Sequence, residues 1–166
     1  VSPDSRSKPN KHEGVIMLYL RFNLDNEEYA LDTSHIVEIT PLVELKPVPK
    51  SEDFIAGIMN YRGTPVPVID LTRILLERKF LPNMSTRIII TKMSDGTAAG
   101  LIIEHIEGMI KKPDSDFVNT NIASNHTSYL GNIAIDSKTM IQVVQLEELV
   151  ADKLSLLSSL QKSVGV

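Results

Sequence analysis

With four histidines and no cysteine in 166 residues, any metal or acid–base chemistry would have to come from His, Asp and Glu. His12, His35, His105 and His126 have no second ligand at metal-binding spacing and read as surface or loop residues. Glu104, His105 and Glu107 read as a solvated face rather than a general acid–base pair. No G-x-S-x-G elbow is present, and no glycine pattern that would cradle a phosphate. Asp70-Leu71-Thr72 lacks the glycine of an aspartic protease motif. Asn125-His126-Thr127 fits a glycosylation acceptor, a chance match in a chain with no secretion signal. The expectation is a protein that is not an enzyme and has no cofactor and no metal. What is left is a candidate for binding: Glu38 and Arg62, each at the end of a predicted strand. As independent surface charges they would contribute about 0–1 kcal/mol if they paired, and the residues alone favour that reading over a recognition point.

The elements that must position them centre on Phe54–Leu71. Apolar, β-branched runs at Ile55–Tyr61 and Val66–Leu71 flank Arg62-Gly63-Thr64-Pro65, which predicts a hairpin presenting an arginine at its shoulder. Gly63 supplies the positive φ of the turn, and Gly57 is assigned to a turn in the same way. Pro65 and Pro67 lack an N–H, so the second strand should lie at an edge or begin at a bulge.

Elsewhere the chain reads as short strands. Val1–Gly14 is polar and should be a disordered leader. Ile16, Leu18, Leu20, Phe22 and Leu24 alternate as a strand with one buried face, and Asp25-Asn26 turns it into Glu28–Leu31. Asp32-Thr33-Ser34 caps one helical turn before a strand at Ile36–Ile39. Pro41, Pro47 and Pro49 keep the next segment extended and irregular. Asp70 caps a short helix over Leu71–Glu77, and Leu81–Ser85 is a linker at which a boundary between lobes is expected, near 80–86. Strands follow at Arg87–Lys92, Ala98–Ile103, Ile106–Lys111, Tyr129–Ile135 and Thr139–Val144, with a long polar loop over Lys112–Thr127. Leu146, Leu149, Val150, Leu154, Leu157 and Leu160 are spaced as an amphipathic helix, and 151–166 is set apart as C-terminal helix and tail. The net charge of −4 weighs against a nucleic-acid partner. No run reaches the roughly 18 apolar residues of a membrane span, and the absence of cysteine suits a cytoplasmic compartment.

Phe54-Ile55-x-Gly57-Ile58-x-Asn60-x-Arg62-Gly63, followed by Val66-Pro67-Val68-Ile69-Asp70-Leu71, resembles the signature of the CheW-like domain. Phe22-x-Leu24-x-x-Glu27-Glu28-Tyr29-Ala30-Leu31-Asp32 and Ile36-Val37-Glu38-Ile39 extend the resemblance from about Leu18 to about Leu149. It implies an all-β fold over 15–150: two SH3-like, five-stranded barrels side by side, with a hydrophobic groove between them. It also implies a cytoplasmic adaptor coupling chemoreceptors to a histidine kinase. The receptor's signalling tip would bind in the groove and the kinase's regulatory domain at a barrel end, with no nucleic acid and no membrane insertion. Glu38 and Arg62 match family residues near the receptor contact, and Ile36, Ile88 and Met109 fall at groove positions, although each could equally be ordinary core. Tyr61 departs from the family's usual leucine, and the three prolines stiffen the approach to the motif. The wording at 60–67 and 85–88 looks closer to accessory adaptors of surface-sensing or cyclic-dinucleotide pathways. Two rivals stand beside this reading: a nucleic-acid-binding barrel using Arg73, Arg78 and Lys79, and an enzyme whose site assembles only in three dimensions.

Overall fold

The computed structural model describes residues 14–120 and 128–164, with side chains as far as Ser155 in the last helix. The expected leader (apart from Gly14), His12, His126, the Asn125-His126-Thr127 pattern, and the side chains of Leu157 and Leu160 lie outside the described residues.

Ten strands and two helices follow in order: β1 (Ile16–Leu24), β2 (Glu27–Asp32), β3 (Ile36–Pro41), β4 (Ile55–Tyr61), β5 (Thr64–Asp70), α1 (Leu71–Leu76), β6 (Arg87–Lys92), β7 (Ala98–Ile103), β8 (Ile106–Pro113), β9 (Leu130–Asp136), β10 (Thr139–Val144) and α2 (Leu146–Val164). Local chemistry explains their ends. Asp25 and Asn26 take φ of 48° and 67°, the paired positive values of a tight hairpin turn, and Ser137 and Lys138 repeat this between β9 and β10 at 45° and 73°. Asp32 accepts from the Ser34 amide at 2.9 Å and starts the single 3-10 turn Thr33–His35. A second such turn, Asp114–Asp116, opens the predicted polar loop, and Phe117 just after it is buried.

The strands form two five-stranded sheets, ordered β8-β1-β2-β10-β9 and β3-β6-β7-β5-β4. Each is mixed, because β10 runs parallel to β2 and β7 parallel to β5. The edge strands of each sheet are brought back together by side chains. Tyr61 on β4 meets Glu38 on β3, and Lys112 on β8 meets Asp136 on β9 at 3.6 Å. The lobes are therefore curled, as two small barrels should be.

The expected lobe boundary near 80–86 is corrected by this topology. Segments on both sides of it belong to one sheet, and the second lobe, β3–β7, is inserted whole between β2 and β8 of the first. The chain crosses between lobes at Thr33–His35 and at Glu104-His105. The helix begins at Leu146, as its spacing predicts, so the division expected at 150/151 falls inside it, and its first turns are core: Leu146, Leu149 and Val150 are all buried.

Three apolar clusters result. Tyr19, Ala30, Phe117, Ala134, Ile141 and Val143 fill the first lobe, and Met59, Val66, Val68, Ile88, Ile90 and Ile102 fill the second. The largest cluster joins the lobes, with Leu20, Phe22, Leu24 and Leu31 on one side and Ile69, Ile89, Leu101 and Ile103 on the other. Because both faces of β6 and β7 are covered, their sequences are continuously apolar rather than alternating. The single buried face expected of β1 holds at Leu20, Phe22 and Leu24. Ile16 and Leu18 on that face are exposed, and Tyr19 points the other way into the first lobe, its ring 4.8 Å from that of Phe117.

Candidate functional site

The β4–β5 hairpin closes with Tyr61 opposite Thr64, so Arg62 and Gly63 are the turn itself, at φ of 51° and 86°. Arg62 is not at the shoulder of the hairpin but at its tip. A Cβ on Gly63 would meet nothing within 4 Å, so glycine is required there by conformation. Asn60 secures the turn by accepting from the Gly63 amide at 2.7 Å. Pro65 and Pro67 are accommodated because β5 joins β7 only from Val68 onward, which leaves the proline portion with one neighbour, β4. The strand as a whole is interior, yet locally it is an edge.

Gly57 is not a turn residue. It lies within β4 at a bulge, with φ at 148°, and a Cβ there would come within 2.7 Å of the Lys46 carbonyl oxygen. Its bareness lets the 42–50 segment approach, where Lys46 and Ile58 exchange backbone hydrogen bonds of 2.8 and 2.9 Å.

Across the closure of the second lobe, the Tyr61 hydroxyl donates to Glu38 Oε2 at 2.5 Å, and Arg62 Nη2 donates to the same oxygen at 3.2 Å. The Arg62 guanidinium lies 5.3 Å from the centre of the Tyr61 ring. Its side chain is 77% exposed, against 39% for Glu38. The hydrogen bond to Glu38 pushes the Tyr61 phenol above its ordinary pKa. Glu38 and Arg62 are thus brought together, with Tyr61 as a third member that sequence reasoning noted as a departure without assigning it a role. The available signal was a phenol beside an arginine at a hairpin tip.

The apolar candidates separate. Ile88 is fully buried inside the second lobe, against Val68 and Ile102, and presents no contact surface; the core reading holds for it. Ile36 is half-buried against the cluster joining the lobes. Met109 is 51% exposed on β8, opposite Leu20, which places it on the face that the first lobe turns toward the second. Ile39, opposite Ile89, continues the corresponding face of the second lobe and is 38% exposed. Ile36 and Ile39 on the edge strand β3, Met109 on the edge strand β8 and Leu18 on the neighbouring β1 are thus apolar and at least partly exposed.

The rival readings lose their residues. Arg73 pairs with Asp53 at 2.8 Å, and Arg78 pairs with both Asp25 and Glu104, so the basic face beside α1 is largely neutralised. Glu104 is not part of a solvated face. It is buried and also accepts from the Leu81 amide at 2.8 Å. Asp70 is buried as the cap of α1, in the wall of an open pocket of about 440 Å³ that Asp53 and Phe80 also line. Among the described residues no three His, Cys, Asp or Glu side chains gather as a metal site. An open groove of about 1090 Å³ lies between α2 and the β4–β5 hairpin, walled by Ile58, Pro65, Pro67, Val150 and Leu154 together with Lys50, Asp95 and Glu147.

Comparison with known proteins agrees with this architecture. Residues 18–154 match the family model of the CheW-like domain. The chain is 25% identical over 158 residues to the chemotaxis protein CheW of Klebsiella aerogenes, covering 91% of this chain and 92% of that one. It is 28% identical over 104 residues to the chemotaxis protein CheW of Thermotoga maritima, covering 63% and 68%. The crystal structure of the scaffolding protein TtCheW from Thermoanaerobacter tengcongensis superposes with a TM-score of 0.70 at 29% identity, covering 77% of this chain and 88% of that one.

Proposed function

This chain belongs to the CheW-like domain family, and from that membership we infer how it acts as a chemotaxis coupling adaptor, a scaffold rather than an enzyme. The receptor's helical signalling tip lies along the apolar rim of Leu18, Ile36, Ile39 and Met109, with Arg62 and Glu38 as the polar anchor at the hairpin tip. A histidine kinase's regulatory domain docks at a barrel end, and the work is done in the cytoplasm. The mechanism is one of effective concentration: two weak partners held on one rigid body meet far more often than they would free, and a change in one biases the other. The observation that carries this reading is the exposed Arg62, set in a two-residue turn and bonded to Glu38 on β3, the strand that also carries the partly exposed Ile36 and Ile39. Exposed aliphatic residues next to an arginine are the composition of a protein-binding surface.

The test is capture from native lysate with the purified chain beside its Arg62→Ala variant, with bound proteins identified by mass spectrometry. Recovery of a chemoreceptor and a histidine kinase is expected, with the receptor reduced about tenfold in the variant. Equal recovery by both would return Arg62 to a turn residue. Recovery of nucleic acid or a metabolite in place of both proteins would overturn the assignment.

A further inference from the structure

The groove between α2 and the β4–β5 hairpin shares no residue with the proposed receptor contact. One wall is α2, through Val150, Ala151 and Leu154. The other is the outer face of the hairpin, where Ile58, Pro65 and Pro67 alternate with the buried Met59, Val66 and Val68. At about 1090 Å³ the space exceeds the roughly 300–1,000 Å³ of a compact small-molecule pocket. Neither wall offers a ladder to an added strand. Pro65 and Pro67 have no N–H, the N–H and C=O of Ile58 are both bonded to Lys46, and α2 is bonded internally. An occupant must therefore be held by its side chains, as a helix is when it lies in a groove. The length agrees. From Glu147 to Leu154 the α2 wall runs for about 10 Å, the span of anchors at i, i+4 and i+7 on a second helix.

The groove's acidic end sets the charge of that helix. Asp95 and Glu147 line it where α2 begins, and the amide of the intervening Ser94 donates to Glu147 Oε1 at 2.8 Å. Hydrogen bonds from Thr97 hold the Asp95 carboxyl below the ordinary range, and those from Ser94 do the same for Glu147, so both are ionised near pH 7. Among the described residues neither has a lysine or arginine partner. The ion-pair partner of Glu147 is His35 at 3.6 Å, and Lys50, the one lysine in the lining, pairs with neither carboxylate. We propose that this groove docks an amphipathic helix of a protein partner, its aliphatic anchors against Ile58, Pro67, Val150 and Leu154 and a lysine or arginine at the end that meets Asp95 and Glu147.

The experiment follows the fluorescence anisotropy of a synthetic helical peptide of about 18 residues titrated with the full chain at low and high salt. The peptide carries leucines at i, i+4 and i+7 on one face and lysines at one end; its twin has glutamates in place of the lysines. Saturable binding of the lysine peptide is expected, about tenfold tighter than that of the twin and weaker at high salt. Asp95→Ser keeps an acceptor for the Thr97 amide but removes the charge, and should weaken binding about two- to fivefold. Ala151→Gln puts an amide into the trough from an exposed position of α2 and should weaken it about fivefold. Met109→Gln, at the proposed receptor contact, should change nothing. Absence of saturable binding, an equally tight glutamate twin, or undiminished binding by Ala151→Gln would overturn the proposal. Loss in Met109→Gln would overturn it by moving the peptide to the receptor contact. Sedimentation of the chain alone as a dimer that takes no peptide would overturn it in favour of a second copy in the groove. Equal urea midpoints across the variants show that the comparison is not one of folding.

Discussion

At Gly57 the backbone takes a φ of 148°, and a Cβ would lie 2.7 Å from the Lys46 oxygen and 2.9 Å from Leu45 Cβ. The methyl of alanine therefore has to push the 42–50 segment off β4 and break the paired Lys46–Ile58 hydrogen bonds. Gly57→Ala is expected to cost about 2–4 kcal/mol in urea unfolding. Gly63→Ala, whose Cβ would meet nothing within 4 Å, should cost only the backbone term, about 1 kcal/mol. Equal losses at the two positions would contradict this account. The contrast also shows what could be read at this scale. Both glycines were legible as positions of special backbone conformation, but the turn and the close approach look alike until the opposing segment is in place. Arg62 and Glu38 were legible as presented charges, although Glu38 lies within β3 rather than at the strand end expected of it; the Tyr61 bond across the closure was not legible, because it depends on β3 and β4 meeting.

Asp70 shows how an element too short to persist alone is held. A helix of six residues has almost no internal cooperativity. Asp70 accepts from the Arg73 amide at 3.2 Å to start α1, and from the Phe80 amide at 2.9 Å to fix the chain leaving it. It is 2% exposed, so its removal leaves two amide donors without their partner. Asp70→Ala is expected to lower stability by about 2–3 kcal/mol in urea unfolding. Burial raises the Asp70 carboxyl above the ordinary range, ahead of the backbone hydrogen bonds that oppose it. A group with a raised folded pKa stabilises most below its unfolded value and less as pH rises through the folded one, so the deficit should be larger near about pH 4 than near pH 7. The cap, the hairpins and the period-two strands were all written locally and could be read from sequence. Sheet order was not. β1 with β8, β2 with β10 and β5 with β7 are pairings between distant segments, and a strand's alternation records that a face is buried without recording against what. A linker at 80–86 therefore looked like a boundary between lobes, although the insertion of one lobe within the other makes it internal.

Two lobes joined only by an apolar cluster could slide, and a coupling protein that must relay one partner's state to another needs their relation fixed. Arg78 supplies a polar constraint beside that cluster. Its Nη2 donates to Asp25 at 2.8 Å, in the β1–β2 turn of the first lobe, and to Glu104 at 2.7 Å, where the chain passes back from the second. The Glu104 carboxylate is largely buried and also holds the Leu81 amide, so Arg78 neutralises a charge with little access to water. Removing one partner of such a pair is costly even where the intact pair gains little over an apolar substitute. Arg78→Met is therefore expected to destabilise by about 3 kcal/mol, and Arg78→Met with Glu104→Leu to recover most of that loss, both measured by urea unfolding. Asp25 adds a pH signature. Its hydrogen bond to Arg78 holds the carboxyl below the ordinary carboxylate range, so its share is present above that range and lost as pH falls through the lowered value. The wild-type advantage over Arg78→Met should shrink on acidification below about pH 4. If the lobes are held by this constraint as well as by packing, Arg78→Met should also weaken binding at the proposed receptor contact, which Arg78 does not touch, while Arg73→Met, which breaks only exposed bonds to Asp53 and to the Glu77 carbonyl, should leave it unchanged.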